Sequence, residues 1–149
     1  MKKFIIALSL PALAACAAIE YAPQPPAAKE HLEEIETCEK TYGDYMETHF
    51  TNADMRNAAY RLAECYETVA HKVIDRHYSK HAQEMKENLS SYMKASYKIS
   101  QDAHMSHDYC PGDCGTQVYS FYTTDAAHLI KEAVVEIIRA NAGFTASHL

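Results

Sequence analysis

The 149 residues carry 14 lysines and arginines against 20 acidic residues, a formal net charge of −6, with five cysteines, eleven tyrosines and no tryptophan. A chain of this size has room for one small domain with one core, and its acidity argues against a nucleic-acid-binding surface and favours a basic partner wherever a charged partner is engaged. A solvated helical surface rich in glutamate carries the same balance, so charge alone assigns no function.

Lys2 and Lys3 precede the apolar run Phe4 to Leu10, which is too short to span a bilayer and gives way to small residues, as in a cleaved export signal. Leu13-Ala14-Ala15-Cys16 resembles the processing site of bacterial lipoproteins. That resemblance implies cleavage before Cys16 and acylation of its sulfur and amine, and two or more chains give the stable anchoring that one chain does not. An ordinary secretory cut near Ala18 or Ala22 is the alternative. Ala17 rather than aspartate after the lipidated cysteine implies, by resemblance to enterobacterial lipoproteins, outer-membrane sorting with the domain facing the periplasm. Loss of Lys2 and Lys3 with the leader leaves 12 basic against 20 acidic residues, a mature charge of −8. The expected organisation is a signal peptide over 1–15, a lipidated tether over 16–28 with Pro23, Pro25 and Pro26, and a helical domain over 29–149.

Within the domain, Ala28, Leu32, Ile35, Cys38, Tyr42, Met46 and Phe50 recur at spacings of three and four, which is helical periodicity, and Gly43 marks a point where this helix bends or breaks. Neither glycine nor proline occurs between Gly43 and Pro111, so long helices are expected there. Met55, Ala59, Leu62, Tyr66, Val69 and Val73 define the second, with Asn52 as N-cap and Asp54 in its first turn. Met85, Leu89, Tyr92, Ser96, Ile99 and Ala103 define the third, after a break placed between Tyr78 and Ser91 on grounds of length. Pro111-Gly112-Asp113 reads as a turn, and Val118 to Tyr122 as packed loop or helix start. The last helix has Thr124 as its cap, Ala127, Ile130, Val134 and Ile137 on one face with Leu129, Ala133 and Ile138 beside it, and Gly143 at its C-terminal stop. The fold expected is all-α, a small disulfide-stabilised bundle of about four helices.

With Cys16 lipidated, four cysteines remain, which in an oxidising envelope form two disulfides. Cys38 and Cys65 stand at equal distances either side of Thr51-Asn52, so an antiparallel helical pair brings them to one height and leaves Cys110 to pair with Cys114. Cys65 and Cys110 are also nearly symmetric about Glu87-Asn88, and the rival arrangement joins them and leaves Cys38 for Cys114.

His77 and His81 are four apart, a spacing that puts two imidazoles on one helix face, and His104 and His107 accompany Met105, Cys110 and Cys114, a nitrogen and sulfur set that copper accepts. Neither set closes a coordination sphere, and solvated histidines and bridged cysteines account for both. The spacing in Cys110-Pro111-Gly112-Asp113-Cys114 is one residue too long for a thioredoxin-type dithiol. No nucleophile elbow, phosphate loop, zincin or haem-attachment motif occurs, so neither an enzyme nor a cofactor is expected. Tyr42, Tyr66 and Tyr92 lie on apolar stripes and are expected in the core. Tyr109, Gly115, Thr116, Tyr119 and Tyr122 form the candidate partner-binding segment, since tyrosine is favoured at interfaces.

Leu89 to Tyr97 as an aromatic-bearing helix, Cys110 after it, Gly115-Thr116 and a closing helix around His128 to Lys131 resemble the LprI-type family of lysozyme-inhibitor lipoproteins. The family's tryptophan is absent, the interval from Leu89 to Cys110 is longer than its pattern, and Asp75 to Tyr78 is the remnant of its Ala-Asp-x-x-Leu-Asn-x-x-Tyr element. The resemblance implies binding of a basic lysozyme and blockage of peptidoglycan cleavage. A structural or assembly lipoprotein of the envelope is the competing expectation, and a periplasmic metal-binding helical protein the third.

Overall fold

The computed structural model describes residues 26–44, 51–105 and 117–146, and their regular structure is helical throughout. Helix α1 spans Pro26–Cys38, α2 Asn52–His77, α3 Ala82–His104 and α4 Gln117–Ala146. The all-α bundle expected from the periodicity is thus the fold. Helix α1 opens on Pro26, inside the segment expected to be tether, because a proline at the first helical position gives up no intrahelical hydrogen bond. Its end widens into one π-turn, Glu39–Gly43, which is the departure from regularity that Gly43 led us to expect.

The N-cap of α2 is Thr51 rather than Asn52: its Oγ1 accepts from the Asp54 amide and donates to the Asp54 carboxylate, a reciprocal arrangement that satisfies a first-turn donor. The break after α2 falls at Tyr78 to His81, within the expected interval. Helix α4 starts seven residues before Thr124, so that hydroxyl caps nothing and donates instead to the Ser120 carbonyl one turn back. Nor does Gly143 stop the helix, which runs on to Ala146. Met46 and Phe50, and the Cys110 to Gly115 turn, lie outside the described residues.

Side-chain pairs fix the directions. Glu30 faces Arg76, Glu34 faces Lys72, and Cys38 is bonded to Cys65, so α1 and α2 are antiparallel. Lys86 reaches Asp75 and Tyr97 packs against Tyr60, so α3 returns antiparallel to α2; His104 meets Asp125 and Tyr92 meets Leu129, so α4 runs antiparallel to α3. The resulting up-down-up-down path makes α2 and α4 parallel, and these two form the centre. Ala59, Ala63 and Ala70 of α2, and Ala126 and Ala127 of α4, are fully buried, and small side chains let the two backbones approach closely. Helix α1 covers one side of this pair and α3 packs mainly on α4.

The core gathers Ile35, Leu62, Tyr66, Val69, Val73, Ile74, Leu89, Ile130, Val134 and Ile138. Of the tyrosines expected there, Tyr66 is fully buried and Tyr42 half-buried, whereas Tyr92 is 42% exposed. The correction extends to the whole of α3, whose buried positions are Leu89, Ser96 and Ser100, while Ile99 is 62% exposed. Serine on the inner face lets α3 lie close to α4, and the Ser96 hydroxyl is satisfied by the Tyr92 carbonyl at 3.0 Å. The face is rotated from the one apolarity alone selects, which turns Tyr92 and Ile99 outward.

The Cys38–Cys65 disulfide expected from the symmetry about Thr51-Asn52 is present, with its Cα atoms 5.9 Å apart. Beside it, Lys131 donates to Glu39 at 2.5 Å and the Tyr66 hydroxyl lies 3.5 Å from the same carboxylate oxygen, which ties α4 and α2 to the end of α1. Burial, with the Glu39 charge added, pushes the Tyr66 phenol far above its ordinary value.

Candidate functional site

The outward turn of α3 has a consequence on the surface it shares with α4. Ile99, Ala103 and Leu129 floor an open cleft of about 410 Å³, rimmed by Asp125, His128 and Glu132. One end is held by His104, whose Nε2 is 2.6 Å from the Asp125 carboxylate and whose ring stacks on Phe121. Towards the other end the Tyr92 hydroxyl donates to the Leu129 carbonyl at 3.3 Å. Phe121 is 44% exposed and Met105, which follows α3, is similarly open, so the apolar surface continues past the histidine. Single exposed apolar residues are ordinary, but a contiguous set with an acidic rim is the form that docking surfaces take.

The segment expected to bind a partner meets this surface only in part. Tyr119 is half-exposed, with its ring centroid 5.7 Å from that of Tyr122. Tyr122 is buried, and its hydroxyl bonds to that of Tyr60, which lies against Tyr97. Tyr122 therefore joins α2, α3 and α4 together and is not an open contact residue. Burial and the neighbouring phenols raise the pKa of Tyr122, and burial that of Tyr97, so both stay neutral hydroxyls at physiological pH. Tyr109, Gly115 and Thr116, with Cys110 and Cys114, lie outside the described residues.

The histidines expected to share a helix face do not share one. His77 is the last residue of α2, and His81 lies beyond the break, exposed and 3.8 Å from Glu84. His104 is engaged by Asp125, and His107 lies outside the described residues. Among the described residues no group of three or more His, Cys, Asp and Glu side chains is placed to hold a metal ion. What His77 does meet is His31 of α1, a residue the sequence reading passed over. The two rings are edge to face with centroids 6.2 Å apart. His31 is 3% exposed, and its Nδ1 lies 3.0 Å from Glu34, which also accepts from Lys72 at 2.5 Å. Its position three residues after Ala28 and four before Ile35, on the inward stripe of α1, is the signal that was available.

A second concavity, of about 290 Å³, lies between the π-turn and α2, lined by Thr41, Tyr42, Asp54, Asn57, Ala58 and Arg61. Among the described residues no helix is long and apolar enough to cross a membrane.

Fold and surface together define a class, the disulfide-clipped helical bundle with an open apolar cleft between two of its helices. Comparison with protein-family models, with curated proteins and with solved structures finds no match.

Proposed function

We propose that this chain is a lipid-anchored module of the bacterial cell envelope that binds a basic protein on its α3–α4 face and performs no catalysis of its own. The observation that carries the reading is the cleft floored by Ile99 and Leu129 with carboxylates at its rim. An apolar floor supplies the burial energy of an interface, and an acidic rim on a mature chain of charge −8 selects a cationic partner and speeds encounter with it. The lipoprotein-like leader supports the address. A basic lysozyme is the partner of this chemistry that the family resemblance names, and docking on the α3–α4 face would obstruct its access to peptidoglycan.

The test is a titration of residues 17–149, made in an oxidising compartment, against a panel of basic lysozymes, following peptidoglycan lysis at low and moderate salt. Stoichiometric inhibition that weakens with salt and is lost in Ile99→Glu supports the proposal. Absence of inhibition and of binding by every lysozyme removes the inhibitor reading, and capture of another basic envelope protein that Ile99→Glu abolishes assigns the face to assembly.

A further inference from the structure

The α3–α4 cleft is built from helix surface alone. On α3 its lining is Ile99, Ser100 and Ala103, and on α4 it is Asp125, His128, Leu129 and Glu132, the positions that one face of a helix presents. Asp125 and Glu132 are two turns apart, about 10.5 Å along the axis, so the cleft runs lengthwise between two antiparallel helices. Its apolar side is prolonged at opposite ends by Phe121, beside His104, and by Tyr92, above Leu129, both exposed. The sign of its charge is negative. Lys98, next to the floor on α3, is spent on Asp102, whereas Asp125 and Glu132 stand exposed along the α4 side.

Helical walls decide the form of the occupant. Peptide groups in the middle of α3 and α4 are bonded within their own helices, so an extended segment laid on Ile99 and Leu129 would lose water from its amides and carbonyls and find no backbone partner. A loop meets the same loss. A helix arrives with its peptide groups already bonded and offers side chains only, the mode in which an amphipathic helix fills a hydrophobic groove. Ser100 and Ala103 are small, which leaves a furrow beside Ile99 and Leu129 for a ridge of side chains three or four residues apart. Resting on the docking reading above, we infer that the basic partner enters this cleft as one amphipathic helix of about three turns, with apolar residues at i, i+3 or i+4 and i+7 on Ile99, Ala103 and Leu129. Lysine or arginine residues seven apart on that helix face Asp125 and Glu132. The same carboxylates repel an anionic lipid surface.

The experiment is fluorescence anisotropy of residues 17–149 with a labelled synthetic peptide of about four turns, leucines on one helical face and lysines beside them, paired with circular dichroism. Three control peptides of equal length redistribute the leucines, replace lysine by glutamate, or place a proline at the centre. The first peptide binds and gains helicity, and each control binds more than about 10-fold more weakly. Ile99→Ser, at an exposed position that leaves the fold intact, lowers affinity about 10-fold at every salt concentration, the loss of one buried aliphatic side chain. Glu132→Gln lowers it about threefold, and at low salt only. Equal binding of the proline peptide overturns the inference, because the occupant then need not be helical. Binding to phosphatidylcholine vesicles that Ile99→Ser abolishes also overturns it, by giving the face to lipid. If no peptide binds while a basic lysozyme or another basic protein does so in an Ile99-dependent way, the helix is refuted and the docking reading stands. If neither peptide nor protein binds through Ile99, both fall.

Discussion

His77 shows how a single half-buried side chain makes the fold sensitive to acid. Burial first, then the Arg76 and His31 charges, hold its pKa below 6.5, so beneath that pH the unfolded chain binds a proton that the folded chain refuses. Stability is therefore flat above about pH 6.5 and falls as pH drops toward the folded pKa. Thermal melts between pH 7.5 and 5.5 should show this decline, and His77→Phe should flatten it. Glu34 acts in a separate window: burial alone would raise its pKa, but the hydrogen bonds from Lys72 and His31 prevail and lower it from 4.5. Its stabilisation is present above that value and is lost as pH falls below it. Gly43 offers a change of opposite sign. A methyl group there meets nothing within 4 Å, so Gly43→Ala should stabilise the chain by about 0.5–1 kcal/mol, read as a higher urea midpoint with an unchanged slope.

Among the elements, α1 depends most on its attachments. It is 13 residues long, too short to be stable alone, and it is held by the disulfide and by the ion pairs to Lys72 and Arg76. Replacing Cys38 and Cys65 by serine releases a crosslink spanning 27 residues and should cost about 3 kcal/mol, seen as a lower denaturation midpoint that reducing agent reproduces in the parent chain and not in the variant. The parallel contact of α2 and α4 is sensitive in another way. Ala70 is fully buried where small side chains carry that contact, and Ala70→Leu should destabilise by about 1–3 kcal/mol through overpacking, measured by chemical denaturation. The number of helices, their order and the Cys38–Cys65 bridge were legible because periodicity and cysteine symmetry are local or nearly so. The inner face of α3 was not, because Ser96 and Ser100 are chosen by how closely α4 must approach, a property of the partner helix. Likewise Thr124 and Gly143 have the right chemistry for helix ends, but the packed side chains Val118, Tyr122 and Asn141 carry the helix past both. His31 could be placed on an inward face from spacing, while its meeting with His77 depends on a register between two helices that spacing does not contain.

For the whole molecule, the distribution of polarity matters more than its sum. The α2–α4 pair is sheathed by α1 on one side and only partly by α3, and the cleft with Ile99, Leu129 and Phe121 is where that cover is incomplete. Binding through this face should lose affinity steeply with salt, because the rim is acidic and exposed pairs are screened within about 10 Å at 0.1 M salt. Ile99→Ser should weaken binding at all salt concentrations without lowering the melting temperature by more than a degree or two, since the side chain is already largely in water. Surface plasmon resonance over a salt series, paired with thermal melts, separates these two effects. The disulfide has a further bearing on the chain as a load-carrying object. Tension applied at Pro26 peels α1 turn by turn as the pairs at Glu30 and Glu34 give way. At Cys38 the covalent bond hands the load directly to Cys65, in the middle of α2, one of the two central helices. Peeling from that side thereby stops at the length of α1, and the segment enclosed between Cys38 and Cys65 is bypassed by the load.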